Sequence, residues 1–228
     1  MFEDGFHSEI ESAALATGYG PILRNSGREA FSLRQQIFEQ VRASGRIARA
    51  TIARSLNVSP GSVTALTAEL IADGFLREVE GAARETSRGR PPVALEVVPE
   101  ALRVVGVKLS DETHTAVLTD LAGNLLASAA LGSTTDKKTA TDLLKDTENL
   151  MAQLCTAAEI PMDTISAIGV GISGIVDFES GMVAWSPLLQ NADVPLGQIL
   201  ADHFETPVRI DNDANVLTLA ELWFGAGR

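Results

Sequence analysis

The stretch from Thr51 to Gly74 constrains this chain more tightly than any other. Ser59 stands immediately before Pro60. A serine hydroxyl there can accept from a first-turn N–H, and a proline at the first helical position lacks only an N–H that would go unused. Val63, Leu66, Leu70 and Ile71 follow at helical spacing on an inward face, and Asp73-Gly74 supplies the glycine that closes a helix. Upstream, Thr51 as N-cap opens a shorter helix through Ile52, Ala53 and Leu56, and Asn57-Val58-Ser59 makes the tight turn between the two. A third helix starts at the cap Ser32, carries Leu33, Ile37, Phe38 and Val41 on one face, and stops at Gly45.

Two strands complete the unit. Leu76 to Val79 alternates, and Val93 to Val98 is a second apolar run. The segment between them, Glu80 to Pro92, is too polar and turn-rich for a core. Helices joined by a short turn, then a hairpin with a basic tip, make a winged helix-turn-helix over residues 29–98, an α+β unit suited to sequence-specific DNA binding. The helix that enters a major groove about 12 Å wide must be small and polar at its N-terminal end, and here that end is Ser59-Pro60-Gly61-Ser62-Val63-Thr64. Ser62, Thr64 and Thr67 are the candidates for base edges. Ser59 and the helix N-terminus suit a phosphate, and Thr51 joins the DNA-binding set. Arg88, Gly89 and Arg90 at the hairpin tip fit the adjacent minor groove, where arginine meets a strong negative potential and glycine permits close approach. The competing use of such a unit is protein contact.

The charge balance bears on this. The 228 residues carry a formal net charge of −12, yet residues 28–95 hold ten arginines against seven acids, an excess of +3, which leaves −15 for the rest. A basic head on an acidic body is compatible with DNA, because affinity comes from local phosphate neutralisation. No apolar run approaches the roughly 18–20 residues of a membrane span, and the acidic start Met1-Phe2-Glu3-Asp4 does not read as a secretory signal. Cys155 is the one cysteine and has no partner for a disulfide or a zinc site. The expected setting is the cytoplasm, with no membrane association. Residues 1–28 show no sustained period and read as a flexible arm. The three histidines, His7, His114 and His203, lack metal-ligand spacing and read as surface or half-buried.

After Pro99 the pattern becomes that of an α/β layer with a mixed sheet: strands over 102–109, 115–120 and 125–130, a helix over 140–158, a strand over 165–172, a helix over 196–204, a strand over 208–210 and a helix over 214–224. Two short polar segments fall at strand ends, Ser173-Gly174 and Asp211-Asn212-Asp213. Aspartate and asparagine there serve either as helix caps or as ligand groups, and both readings stand. Trp185 belongs either to the core or to the lip of a cleft.

Arg-Gly-Arg-Pro-Pro at 88–92, Val104-Val105-Gly106-Val107, the run Ile168 to Asp177, Asp211-Asn212-Asp213-Ala214-Asn215 and Glu221-Leu222-Trp223-Phe224-Gly225-Ala226-Gly227 together resemble the ROK family of repressors, open reading frames and kinases, in its regulator branch. The resemblance covers about residues 32–228. It implies that residues 99–228 are the N-terminal portion of a sugar-kinase-like domain of the actin/hexokinase (ribonuclease H-like) type. It further implies that Asp213 matches the kinases' general base, Asn212 the neighbouring sugar contact, and Ser173-Gly174 the glycine-rich segment beside the sugar. The implied partners are a double-stranded DNA operator, a sugar or sugar-phosphate effector, and a second copy in a homodimer.

Two departures shape the expectation. Where family kinases hold ATP phosphates with Asp-x-Gly-x-Thr, this chain has Lys108-Leu109-Ser110-Asp111-Glu112-Thr113, without the glycine and with an added acidic pair. Phosphoryl transfer depends on positioning and charge, so no enzymatic activity and no catalytic residues are expected; the alternative is a ROK-type sugar kinase. The family's distal sugar, zinc and adenosine motifs find no counterpart before Arg228, so the second domain is expected to be incomplete, as a truncated or an unusually short member. No cofactor and no metal are expected within the chain. A third possibility is a DNA-binding fragment that no longer responds to ligand.

Overall fold

The computed structural model describes residues 32–80 and 93–224. It divides into two compact units, one of residues 1–101 with 221–228 and the other of residues 102–220. The flexible arm predicted at 1–28 and the hairpin tip with Arg88, Gly89 and Arg90 lie outside the described residues.

In the first unit, helix α1 (Leu33–Ser44) begins where Ser32 Oγ accepts from Gln35 N at 3.2 Å and ends at Gly45, whose φ of +67° suits glycine. A two-residue strand β1 (Ile47–Ala48) follows, then α2 (Arg49–Ser55) and α3 (Pro60–Ala72). Ser59 caps α3 as predicted, with Pro60 at its start, and Gly74 at φ +80° terminates it. Strands β2 (Leu76–Glu80) and β3 (Val93–Val97) pair antiparallel from Leu76↔Val97 to Glu80↔Val93, and β1 joins the other edge of β3. Ile37, Val41, Ile52, Val63, Leu70, Leu76 and Leu95 form the buried interior. Each such side chain, taken fully from water, contributes on the order of 1.5–3 kcal/mol.

One expectation is corrected here, and one element is added. Thr51 is not a cap. Helix α2 starts three residues earlier than that cap implies, at Arg49 behind Ala48, which supplies no capping side chain, and Thr51 lies exposed within the helix. Strand β1 carries no periodicity of its own and was not anticipated; only pairing with β3 makes it a strand.

The second unit opens with an antiparallel meander of β4 (Arg103–Leu109), β5 (Thr113–Asp120) and β6 (Leu125–Gly132). Helix α4 (Ala140–Ala157) starts in a capping box between Thr139 and Asp142. It leads to β7 (Ala167–Ile172), which lies parallel to β4. A separate hairpin of β8 (Ile175–Asp177) and β9 (Met182–Trp185) intervenes before α5 (Leu196–Phe204). Strand β10 (Val208–Asn212) then pairs parallel with β7, and α6 (Asp213–Phe224) follows. The sheet order β10-β7-β4-β5-β6 is the mixed sheet predicted, with parallel neighbours joined through helices as geometry requires.

One face of this sheet packs Val105, Val107, Leu109, Ile168, Val170 and Ile172 with Leu143, Leu150 and Leu154 of α4 and Leu196 and Leu200 of α5. The other face carries a groove of about 370 Å³ that Gly106, Gly169 and Gly171 line together with Lys108 and Arg209. His114 is fully buried, against the surface or half-buried place expected of it. Trp185 closes β9 half-exposed, so it does not belong to the core. No helix among the described residues is long and apolar enough to cross a membrane.

Candidate functional site

The N-terminal turn of α3 presents a compact polar surface. Ser59 Oγ accepts from Ser62 N at 3.0 Å and is hydrogen-bonded to Ser62 Oγ at 2.8 Å, where either hydroxyl can donate, while Thr64 Oγ1 donates back to Pro60 O at 2.9 Å. Gly61, Thr64, Ala65 and Ala68 are exposed at i, i+3, i+4 and i+7, so the outward stripe of α3 is built of small side chains that allow close approach. Thr67 is corrected: it is completely buried, donating to Thr64 O at 3.1 Å and accepting from Arg49 Nε at 2.8 Å, and cannot reach a base. Its spacing from Val63 and Leu70 was the available signal, since four and then three residues keep all three on one helical face.

Among the described residues of the first unit, most arginines are paired with carboxylates. Arg34 pairs with Asp73, Arg42 with Glu39, Arg46 and Arg77 both with Glu96, and Arg49 with Glu78. Hydrogen bonds from Arg77 and then Arg46 hold the Glu96 carboxyl below its ordinary pKa. Arg54, which the sequence reading passed over, is the arginine of the described first unit with no carboxylate partner. It donates to Ala50 O and to Thr51 Oγ1, both at 3.3 Å, and stays exposed on α2.

In the second unit the sheet itself assembles the other cluster. Parallel neighbours β7 and β10 run in register to Ile172↔Asn212, so the residues that follow each strand emerge side by side. Ser173 Oγ donates to Asp213 Oδ2 at 2.7 Å, and Asn212 Nδ2 donates to Gly174 O at 2.7 Å. All four residues nominated by resemblance thus come together, at the carboxyl ends of parallel strands where ligands of open α/β sheets bind. The capping role is present too: Asn212 Oδ1 accepts from Ala214 N at 2.9 Å, and Asp213 Oδ1 from Ala214 N at 3.0 Å. Capping uses Asn212 Oδ1 and Asp213 Oδ1, and the Asn212 amide and the second Asp213 oxygen face the Ser173-Gly174 turn. Ser186 Oγ, donating to Ser173 O at 2.7 Å, braces that turn from behind.

The turn between β4 and β5 is tied internally. Ser110 N donates to His114 Nδ1 at 3.1 Å, and Ser110 Oγ donates to Thr113 O at 2.7 Å; Asp111 and Glu112 are exposed beside them. The Ser110 amide is therefore committed to His114 rather than free for an anion. No group of three potential metal ligands occurs among the described residues.

Comparison with known proteins identifies the family. Residues 104–228 match the model of the ROK family. The xylose repressor of Caldicellulosiruptor bescii is 32% identical over 183 residues, 78% of this chain and 44% of that protein. The DNA-binding transcriptional repressor Mlc of Escherichia coli is 26% identical over 193 residues, 84% of this chain and 47% of that protein. The dual regulator NagC of E. coli is 28% identical over 194 residues, with coverage of 84% and 46%. The chain thus spans about half the length of the curated relatives it matches. Among solved structures, a ROK family transcriptional regulator homologous to the E. coli Mlc protein superposes with a TM-score of 0.65 at 23% identity, over 82% of this chain and 47% of that one. At that identity the likeness is one of fold.

Proposed function

The chain belongs to the ROK family, and from that premise we propose that it is a sugar-responsive transcriptional regulator, a repressor that reads DNA through its first unit and senses a sugar or sugar phosphate through its second. The observation that carries this reading is the extent of the match to named repressors. Alignments of 183–194 residues are longer than the family body at 104–228, so they take in part of the first unit as well.

The first unit works as a winged helix-turn-helix. The outward stripe of α3 enters the major groove with Ser62 and Thr64 nearest the base edges, Ser59 and the amide ends of α3 take a phosphate, and Arg54 takes another from α2. Arg88, Gly89 and Arg90 take the adjacent minor groove. Two half-sites read by a homodimer double these contacts. In the second unit Asn212 and Asp213 bind sugar hydroxyls. The carboxylate accepts from one O–H, and the Asn212 amide, with the Ser173 hydroxyl, holds its neighbours. The committed Ser110 amide and the exposed Asp111-Glu112 pair oppose a bound nucleotide phosphate, which supports sensing rather than phosphorylation. The protein works in the cytoplasm.

The test is fluorescence anisotropy with fragments of the DNA upstream of its own gene and neighbouring sugar-metabolism genes. A fragment bound at least about a thousandfold more tightly than random DNA is expected, as for typical specific binding. Replacing Arg88 and Arg90 by alanine should weaken binding and flatten its salt dependence. Binding of all fragments alike, together with ATP turnover on any hexose, would overturn the proposal in favour of a sugar kinase.

A further inference from the structure

Thr67 sits midway along the buried face of α3, between Val63 and Leu70, with no exposure to solvent. A hydroxyl in that position is costly unless both its functions are used. They are: Oγ1 donates to Thr64 O, and it accepts from Arg49 Nε at 2.8 Å. The same guanidinium places Nη1 2.8 Å from Glu78 Oε1, in the middle of β2. Arg49 is the first residue of α2. One planar cation therefore joins three elements: the helix before the turn, the centre of α3 and the first strand of the hairpin. The donors of a guanidinium have fixed directions relative to one another, so satisfying two of them fixes where α3 lies against β2.

We propose that Arg49 is a positioning residue for DNA reading, which sets the rotation of α3 about its axis relative to the wing through Thr67 and Glu78. This rests on the DNA-binding reading above. The chemistry is that of geometry rather than stability. Glu78 is half-exposed, so its ion pair is screened, and valine would fill the volume of Thr67 without needing any partner. Thr64 is both the acceptor of the Thr67 hydroxyl and an exposed residue of the reading stripe, so a rotation released at Thr67 reaches the base edges directly.

Three variants test this by anisotropy on the selected operator and on random DNA. Thr67→Val removes the hydroxyl without altering charge. It should lose about tenfold in operator affinity, with random-DNA affinity and the salt slope unchanged. Thr67→Ser restores the hydroxyl and should restore selectivity. Glu78→Gln changes a half-exposed residue that does not threaten folding, and should lose several-fold selectivity with the same unchanged slope. Equal operator affinity for Thr67→Val and the parent overturns the inference and leaves the DNA-binding reading intact. So does a Glu78→Gln protein as selective as the parent. A parent protein that selects no sequence overturns both.

Discussion

Ser173 Oγ and Asp213 Oδ2 lie 2.7 Å apart although forty residues separate them, because the parallel pair β7 and β10 ends in register at Ile172 and Asn212. The hydroxyl holds one carboxylate oxygen toward the Ser173-Gly174 turn while the other oxygen caps α6. A residue with a capping oxygen and a cleft-facing oxygen can be altered in two separable ways. Asp213→Asn keeps an oxygen for the cap but replaces a pure acceptor by a mixed group. Stability should change by less than about 1 kcal/mol, while any sugar-induced rise in melting temperature should vanish. A stabilising sugar at a hundred times its dissociation constant contributes about 2.7 kcal/mol, readily visible as a thermal shift. A shift of undiminished size in Asp213→Asn would remove this residue from the ligand site.

Gly174 has a φ of +145°, and a Cβ built on it would lie 2.1 Å from Trp185 O and 3.0 Å from Ser186 Cα. Both obstacles are backbone and cannot rotate away. Gly174→Ala should therefore destabilise the second unit by at least about 2–3 kcal/mol. Gly132→Ala, with nothing within 4 Å, should stay within about 0.5 kcal/mol of the parent. Urea midpoints compare the two; similar midpoints would contradict the tight approach of the β7–β8 turn to Trp185.

These two positions show what kind of information the sequence carries. Helix α3 is legible because its determinants are local: Ser59 and Pro60 at one end, Gly74 at the other, and apolar residues at helical spacing between. The main strands are legible because each buries whole faces. What escapes is whatever a distant partner decides. Thr51 has the chemistry of a cap, but the chain is already helical from Arg49, whose side chain reaches Thr67 and Glu78. Strand β1 exists only through β3. The β8–β9 hairpin is too short to show a period, and its turn at Gly181 with φ +69° was its one local sign. The ligand cluster is half legible: polar residues at two strand ends are visible in the sequence, and their meeting depends on sheet order.

Arg54 is the arginine of the described first unit that no carboxylate neutralises, and it lies exposed on α2. Arg54→Ala should weaken binding to operator and random DNA alike and reduce the slope of log affinity against log salt by about one. Arg77→Ala removes an arginine already paired with Glu96, and should leave that slope unchanged. Titrations from 50 to 200 mM salt distinguish them. Equal slopes for Arg54→Ala and the parent would exclude a phosphate contact there.

Ser59 Oγ accepts from Ser62 N at 3.0 Å at the start of α3. Ser59→Ala removes this cap and should cost about 1 kcal/mol of stability, whereas Ser59→Asp keeps an acceptor and should recover most of it. The same aspartate adds a negative charge where a phosphate is expected, so operator affinity should fall further in Ser59→Asp than in Ser59→Ala. Stability and affinity changing in the same order across the two variants would place Ser59 away from the DNA.

His114 gives a pH dependence whose sign follows from its surroundings. Its Nδ1 accepts the Ser110 amide, which assigns the ring proton to Nε2, 3.3 Å from Asp146 Oδ2; Lys138 Nζ meets that same oxygen at 2.5 Å. Burial first, and then the Lys138 charge, lower its pKa from the ordinary 6.5, with Asp146 acting in the opposite sense. The unfolded chain therefore takes up this proton at a higher pH than the folded protein does. The stabilising contribution is complete above about 6.5 and is lost as the pH falls through that value toward the folded pKa. Protonation at Nδ1 also removes the acceptor that anchors the β4–β5 turn. His114→Gln should lower stability at pH 7.5 by about 1–3 kcal/mol, through the lost packing and amide partner. It should also flatten the decline between pH 7 and pH 5. Urea unfolding at half-unit pH steps measures both, and parallel curves for parent and variant would show that His114 does not govern the acid-side loss.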